Sequence, residues 1–379
     1  MMRESKRTWA QIDLDCAKHN YNIVKAHTKA KICCVVKANA YGHGAVKLAT
    51  LYQKLGADFL AVSNIDEALQ LRNSNIILPI LILGYTPPEL AKELYDNNIS
   101  QTVYSLEYAN ALLSYAGKLG VKIKAHIKID SGMGRIGFQS LKSELDSVIE
   151  ICRNTLVIPE GIFTHFSVAD EGAKGKDYTA LQFQKFASSI DYLGDSGIKF
   201  PIRHCANSAT ILDYPEYHMD MVRAGIILYG LSPSHELHNT PDLHKVMELK
   251  SVISHIKTIE PGTAISYGKT FVASHKCRIA TIPIGYADGF WRSNGETRFS
   301  VKIKNKYAPI LGRVCMDQMM VDATDVECAV GDEVLIFGSD EKCSADQIAT
   351  VNNSINYEVV CSVGERVPRI FVKDGELVD

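Results

Sequence analysis

The sequence predicts an α/β fold, an N-terminal (β/α)8 TIM-type barrel followed by a C-terminal, mostly β domain, and three observations carry that expectation. Short apolar runs recur roughly every 20 to 35 residues over the first two thirds, and the segments between them have helical apolar spacing. Eight such runs alternating with helices favour a closed barrel over an open sheet, and no Gly-x-Gly-x-x-Gly follows the first run, as a dinucleotide fold would require. After about residue 240 the helical spacing gives way to closely spaced strands and tight turns.

The strand-like runs of the barrel are Ile32–Val36, Phe59–Val62, Ile80–Leu83, Gln101–Tyr104, Lys122–Lys128, Glu160–Thr164, Ile202–Cys205 and Met219–Arg223. Ala45–Leu55, Asp66–Arg72, Pro88–Asn97, Leu106–Leu119, Leu141–Asn154, Tyr178–Gly194 and Ala209–Asp213 read as the helices between them. The polar stretch from His235 to Asp242 reads as a linker, which divides the chain into residues 1–240 and 241–379. Beyond it Leu249–Ile259, Ala264–Val272, Cys277–Pro283, Arg298–Ile303, Ala308–Ala323 and Glu333–Phe337 read as strands, punctuated by Pro261-Gly262, Asn294-Gly295 and Gly331-Asp332. Ser344–Asn353 is the one clear helix there, and the first ten or so residues, with Trp9, are expected to pack on the β domain.

Composition narrows the function. The 379 residues carry 41 Lys+Arg and 43 Asp+Glu, a net charge of −2, and no basic block that would neutralise phosphates, so no nucleic-acid partner is expected. The longest apolar run, Ile76 to Gly84, is about half a membrane span and contains Pro79, so no membrane partner is expected either. Ten cysteines without a CxxC pair, and an N-terminus without a secretory signal, point to reduced thiols in a cytoplasmic protein. The histidines outside the strand ends have no metal-ligand spacing, so no metal is expected.

The chemistry gathers at the strand ends. Ile32–Val36 is apolar enough to be buried and leads into Lys37-Ala38-Asn39-Ala40-Tyr41-Gly42-His43-Gly44, which puts a lysine at the C-terminal mouth of the barrel, where barrel active sites lie. A desolvated lysine shifts toward its neutral, nucleophilic form, as Schiff-base chemistry requires; a strand-end lysine paired to a carboxylate is the competing reading. His204-Cys205-Ala206-Asn207-Ser208 follows the seventh strand and Arg223-Ala224-Gly225-Ile226 the eighth, the two loops where barrels bind phosphate. The Ser208 hydroxyl and the N–H groups of Ser208, Gly225 and Ile226 can cradle such an anion. Lys128 to Arg135 ends the fifth strand, and Thr164-His165-Phe166-Ser167 ends the sixth.

Val36 to Gly44, Lys128 to Gly137, Cys205 to Ser208, Val222 to Gly225, Ile265 to Gly268, Gly285 to Gly289, Cys315 to Asp317 and Ile355 to Glu358 together resemble the alanine racemase family, in its order and over essentially the whole chain. The resemblance implies a pyridoxal 5'-phosphate enzyme with a barrel and a β domain, in which Lys37 holds the cofactor as a Schiff base. Tyr267 is then the second base, supplied by the partner subunit of a homodimer; Lys37 serves the D-enantiomer and Tyr267 the L-enantiomer. It puts Tyr41, His204, Ser208, Gly225, Ile226 and Tyr357 around the phosphate, Arg223 at the pyridine nitrogen, and His165 between Arg223 and Tyr267. Arg135 lies against the cofactor and the substrate carboxylate with Lys128 as its carbamylated partner, the Met316 N–H reaches that carboxylate, and Tyr286 lines the entrance with Asp317 nearby. The product implied is D-alanine for peptidoglycan.

Removing the α-proton from one face and returning it to the other calls for two bases, which Lys37 and Tyr267 supply. A guanidinium only donates, so Arg223 leaves the pyridine nitrogen unprotonated, a weaker electron sink that restricts the reaction to racemisation. For Lys128 an ordinary ion pair with Asp130 or another carboxylate is the alternative to a carbamate. Related barrel-plus-β decarboxylases carry a glutamate and a cysteine where this chain has Arg223 and Tyr267, which leaves a broad-specificity or serine racemase as the nearer alternative.

Overall fold

The computed structural model describes residues 7–378. The first element of the described residues is β1 (Thr8–Asp13), whose Asp13 side chain caps the helix Leu14–His27 by accepting from the Asp15 and Cys16 amides. Barrel strands follow as β2 (Lys31–Val35), β3 (Phe59–Val62), β4 (Ile80–Ile82), β5 (Ile99–Val103) and β6 (Ile123–Asp130), with a short β7 (Phe138–Gln139) beside β6. β8 (Val157–Phe163), β9 (Ile202–His204) and β10 (Met221–Ala224) complete the set. All eight barrel strands are parallel, ordered β10-β2-β3-β4-β5-β6-β8-β9, and β9 meets β10 through Asp220 N–H to Arg203 O and Arg223 N–H to Ala206 O, both 3.0 Å. Helices cover the outer face, so β3 and β4 are buried on both faces, which explains their unbroken apolar runs.

The eight expected strands and the expected barrel helices are present, with ends shifted by one to a few residues. One helix is longer than its apolar spacing suggests: Gly172–Asp195 starts at the small residues before Tyr178, because Gly172 and Gly175 pack against backbone too closely for a side chain. The helix Leu14–His27 and β1 were not expected. Their sequence carries an ordinary amphipathic pattern, but nothing local tells β1 to pair with strands more than 230 residues away.

Past the barrel come β11 (Met247–Val252), β12 (His255–Ile259), β13 (Ala264–Ile265), β14 (Phe271–Val272), β15 (Cys277–Ile282), β16 (Ser300–Ile303), β17 (Lys306–Pro309), β18 (Met319–Asp322), β19 (Glu333–Phe337), β20 (Arg369–Lys373) and β21 (Glu376–Val378). Seven strands form one sheet, β17-β16-β19-β11-β1-β20-β21, so the strand containing Trp9 lies inside it. The residues before Arg7 lie outside the described part of the chain. Leu249–Ile259, expected as one strand, is two: Ile253 N–H donates to Asp332 O of the large sheet and Ser254 N–H to Thr281 O of the three-stranded sheet β12-β15-β18. Ala264–Val272 is a hairpin interrupted at Tyr267–Lys269, and Ala308–Ala323 breaks into β17 and β18 at a loop through Gly312. Besides Ala345–Val351 there is a second helix, Asn356–Cys361, too short to show a period. Among the described residues no helix is long and apolar enough to cross a membrane.

Candidate functional site

β2 delivers Lys37 to the barrel mouth, and the next four residues turn the wrong way. Ala38, Asn39, Ala40 and Tyr41 have φ of 51°, 52°, 54° and 51°, a left-handed turn built without glycine. Each such residue costs roughly 1–2 kcal/mol, so the surroundings must hold it. Glu67 does so from the helix Ile65–Asn73 that follows β3: its Oε1 accepts from Ala38 N–H at 2.6 Å and its Oε2 from Ser63 N–H at 2.7 Å. Asn39 Oδ1 accepts from Ala45 N–H, and the buried His43 donates from Nδ1 to the carbonyls of Tyr41 and Ala40. Gly42 closes the turn where a Cβ would sit 2.3 Å from Val360 O. The result aims the Tyr41 ring inward, against Tyr229 and Tyr357.

Lys37 faces a cavity of about 730 Å3 shared with Lys128, Arg135, His165 and Arg223. Burial and the Arg135 charge lower the Lys37 pKa, favouring a neutral amine. Tyr41, Ser208, Gly225, Ile226 and Tyr357 line the same cavity. Gly225 N–H donates to Ser208 Oγ at 3.1 Å, and a Cβ on Gly225 would come within 3.1 Å of the Tyr41 hydroxyl, so glycine keeps this cradle open.

Arg223 is buried and stacks over Phe163 at 5.3 Å. One terminal nitrogen donates to His204 Nδ1 (2.9 Å), the other to Thr164 O (2.9 Å), Cys205 O (3.2 Å) and His165 Nδ1 (3.1 Å). His204 is therefore a correction: expected at the phosphate, it lies fully buried beneath Arg223 and does not line the cavity, because its ring points into the barrel toward His126. Burial and the Arg223 charge push His165 and His204 well below their ordinary range, so both are neutral.

Lys128 is buried, donates to Ile129 O, and is pushed down to about 7 by burial, with the charge of Arg223 adding to it. The alternative Lys128–Asp130 ion pair does not form; the Asp130 carboxylate accepts the Gly132 and Gly134 amides instead. Arg135 is exposed at the cavity edge.

Tyr267, Tyr286, Met316 and Asp317 do not reach this cavity. They gather on the β region: Ser266, with φ 66°, bonds Arg313 O beside Tyr267, and Tyr286 and Ala287 N–H donate to Cys315 O and Met316 O. Tyr267 is 66% exposed, Met316 52% and Tyr286 42%. Asp317 pairs with Arg366 at 2.5 Å, and Arg366 and Arg7 both pair with the buried Asp288. The Arg223–His165 link exists, whereas the continuation from His165 to Tyr267 is not made within one chain.

Sequence reading passed over Glu67 and Cys361, both near Lys37, and Asp170, which lines the same cavity. Glu67 stands three residues after the helix-capping Asn64 and so looks like an ordinary capping box. His19, Asp242 and His244 also converge, but the two rings stack at 3.8 Å and 11°, so their lone pairs run parallel and one ion cannot lie in both ring planes.

A barrel with a half-buried lysine and an anion cradle at its mouth, joined to a β region, places the chain among amino-acid racemases once it is compared with known proteins. Residues 12–233 match the family model of the alanine racemase N-terminal domain and 246–371 that of the C-terminal domain. Alanine racemase 1 of Clostridium acetobutylicum is 44% identical over 384 residues, covering 100% of this chain and 98% of that one, and the alanine racemase of Desulfovibrio desulfuricans is 45% identical over 377 residues, covering 98% and 100%. The structure of alanine racemase from Clostridium difficile 630 superposes with a TM-score of 0.95 at 45% identity, covering 100% of this chain and 98% of that one. The chain belongs to the alanine racemase family, and its reaction is the interconversion of L- and D-alanine.

Proposed function

We propose that this racemisation runs on pyridoxal 5'-phosphate carried by Lys37, with Lys37 and Tyr267 of the partner subunit as bases on opposite faces of the substrate α-carbon. The observation that supports it most is one cavity holding a lysine of lowered pKa, an anion cradle at Tyr41, Ser208, Gly225, Ile226 and Tyr357, and a buried guanidinium. These residues fit the cofactor: the Tyr41 and Ser208 hydroxyls converge beside the Gly225 backbone at the edge of the cavity, a donor set that would hold its phosphate. When bound, the cofactor supplies the electron sink that acidifies the α-proton.

The chain's own groups do the rest. Lys37 takes the proton on one face as an amine or returns it from the ammonium, and Tyr267 of the partner subunit does so on the other as phenolate or phenol. Arg223, which can only donate, would face the ring nitrogen and leave it unprotonated, keeping the sink weak, while His165, bonded to Arg223, would link it toward Tyr267 of the partner subunit. Arg135 and the Met316 N–H of the partner subunit orient the substrate carboxylate. Lys128 takes up carbon dioxide, its amine losing a proton as the N–C bond forms, and the anion orients Arg135; a pKa near 7 leaves enough neutral amine for this at physiological pH. Tyr286 and Asp317 stand at the entrance. Exposure of Tyr267, Tyr286 and Met316 supports a homodimer with shared sites. Tyr85 and Tyr104 also line the cavity and favour a small side chain. The product serves peptidoglycan in the cytoplasm, and the chain divides near residue 240, a reading supported by the seven-stranded sheet.

The test is the absorbance spectrum of the purified protein with chiral chromatography of L-alanine, L-serine and L-lysine in the same sample. A band near about 420 nm with fastest conversion of alanine is expected. No band, or faster conversion of serine or lysine, overturns the reading.

A further inference from the structure

Hydrogen bonds run in one line from the flank of the barrel to Arg223. Glu160 sits at a bulge of β8, the residue left without a partner where Pro159 faces Ala125 and Gly161 faces His126; a bulge re-aims its side chain. Glu160 Oε2 accepts from the Ser100 hydroxyl and from His126 Nε2 at 3.2 Å, and its Oε1 is 3.7 Å from Lys124 Nζ. His126 Nδ1 is 2.9 Å from His204 Nε2, and His204 Nδ1 is 2.9 Å from an Arg223 terminal nitrogen. Both imidazoles are fully buried. Gly161 makes the room: a Cβ there would sit 2.4 Å from His126 Nδ1.

The two ends dictate where the protons lie. A guanidinium has only donors and a carboxylate only acceptors. Arg223 therefore donates to a bare Nδ1 of His204, whose proton is on Nε2. That proton faces a bare Nδ1 of His126, whose own proton is on Nε2 and faces Glu160. This is the one arrangement of neutral rings that satisfies every bond. Burial lowers the pKa of both rings, the Arg223 charge adding to it at His204, which keeps them neutral. Burial would raise Glu160, but the hydrogen bonds from His126 and Ser100 outweigh it and hold the carboxylate ionised.

We propose that Glu160 is a positioning residue for the racemisation: acting through His126 and His204, it fixes the tautomers that hold Arg223 in place at the Lys37 cavity. The inference rests on the reading of Arg223 as a group facing the cofactor. Without the carboxylate, His126 is free to carry its proton on Nδ1; His204 then either opposes it with its own Nε2 proton or moves that proton to Nδ1, where Arg223 loses its acceptor.

Neutron diffraction from deuterium-exchanged crystals of the purified enzyme reads the tautomers without any variant. Deuterium on Nε2 of both rings is expected, and deuterium on Nδ1 of either overturns the proposal. In solution, Glu160→Leu lowers kcat about tenfold with KM changed less than about twofold, and Glu160→Gln, whose amide oxygen still accepts from His126, restores at least about half of kcat. Wild-type kcat in Glu160→Leu, or no rescue by Glu160→Gln, overturns it. A purified chain without cofactor absorbance would sink the reading of Arg223 while leaving the proton positions to be decided by the neutron map.

Discussion

Arg223 and Lys128 are buried and hydrogen-bonded within their own chain, whereas Tyr267, Tyr286 and Met316 stand exposed on the β region. The barrel half of the site is preorganised, its lysine aimed by a strained turn and its arginine by two histidines. The β-region half is a surface. Large apolar and aromatic side chains exposed together usually mark a contact, and this patch carries the residues that the barrel lacks. On the proposed reading, site chemistry is divided between a buried half on the barrel and an exposed half on the β region that a second subunit would bring to it.

Breaking the division produces the largest effect. Lys37→Ala and Tyr267→Ala each lower racemisation by roughly 10^4 on their own. Mixed and refolded together they recover about a quarter of wild-type activity, because half of the dimers are hybrids and each hybrid has one intact site. Activity that stays at the level of the separate variants would mean that both residues act within one chain, or that Tyr267 does not act.

The preorganised half can be sharpened next. Gly225→Ala puts a methyl 3.1 Å from the Tyr41 hydroxyl and 3.5 Å from Ser208 Oγ. Overfilling of this kind weakens the affinity for pyridoxal phosphate about tenfold, measured by fluorescence titration of the cofactor-stripped protein. An unchanged affinity would move the phosphate away from this cradle. The turn after Lys37 is a smaller target. Glu67→Ala removes the acceptor of the exposed Ala38 and Ser63 amides, leaving them to water, and lowers stability by about 1 kcal/mol in urea unfolding, while Glu67→Gln, which keeps one acceptor, loses less. Equal losses in the two variants would show that the acceptor is not what holds the turn.

The same division decides what the sequence made legible. Apolar runs such as Phe59–Val62 and Ile80–Ile82 are buried on both faces, so each strand announces itself locally, and the barrel follows from counting them. Lys37 is legible because a lysine ending such a run is chemically out of place. The partners of these residues are not: Glu67, His126 and Glu160 act across 29, 78 and 34 positions, and no local pattern marks them. His204 shows the limit most clearly, since the position in its strand end was read correctly while the direction of its ring, toward His126 rather than the cradle, depends on a residue 78 positions away. In the β region the strand runs were legible, but the switch of sheet at Ile253 and Ser254 is set by what Asp332 and Thr281 offer.

Lys128 gives the mildest test of the barrel half, through pH. Its folded-state pKa, about 7, lies below the ordinary 10.5, so between these values the unfolded chain binds a proton that the folded chain has lost. Folding releases that proton, and stability rises with pH from about 7 toward 10.5; below 7 both states are charged and the burial penalty is fully present. Lys128→Met removes this contribution, so the difference in unfolding free energy between wild type and variant should change across that window and be flat below it. Bicarbonate added near the upper side of the window should further stabilise the wild type and leave Lys128→Met unchanged, since only a neutral lysine amine can take up carbon dioxide. An equal response of both proteins would remove the carbamate from the site and leave Arg135 without its proposed anion.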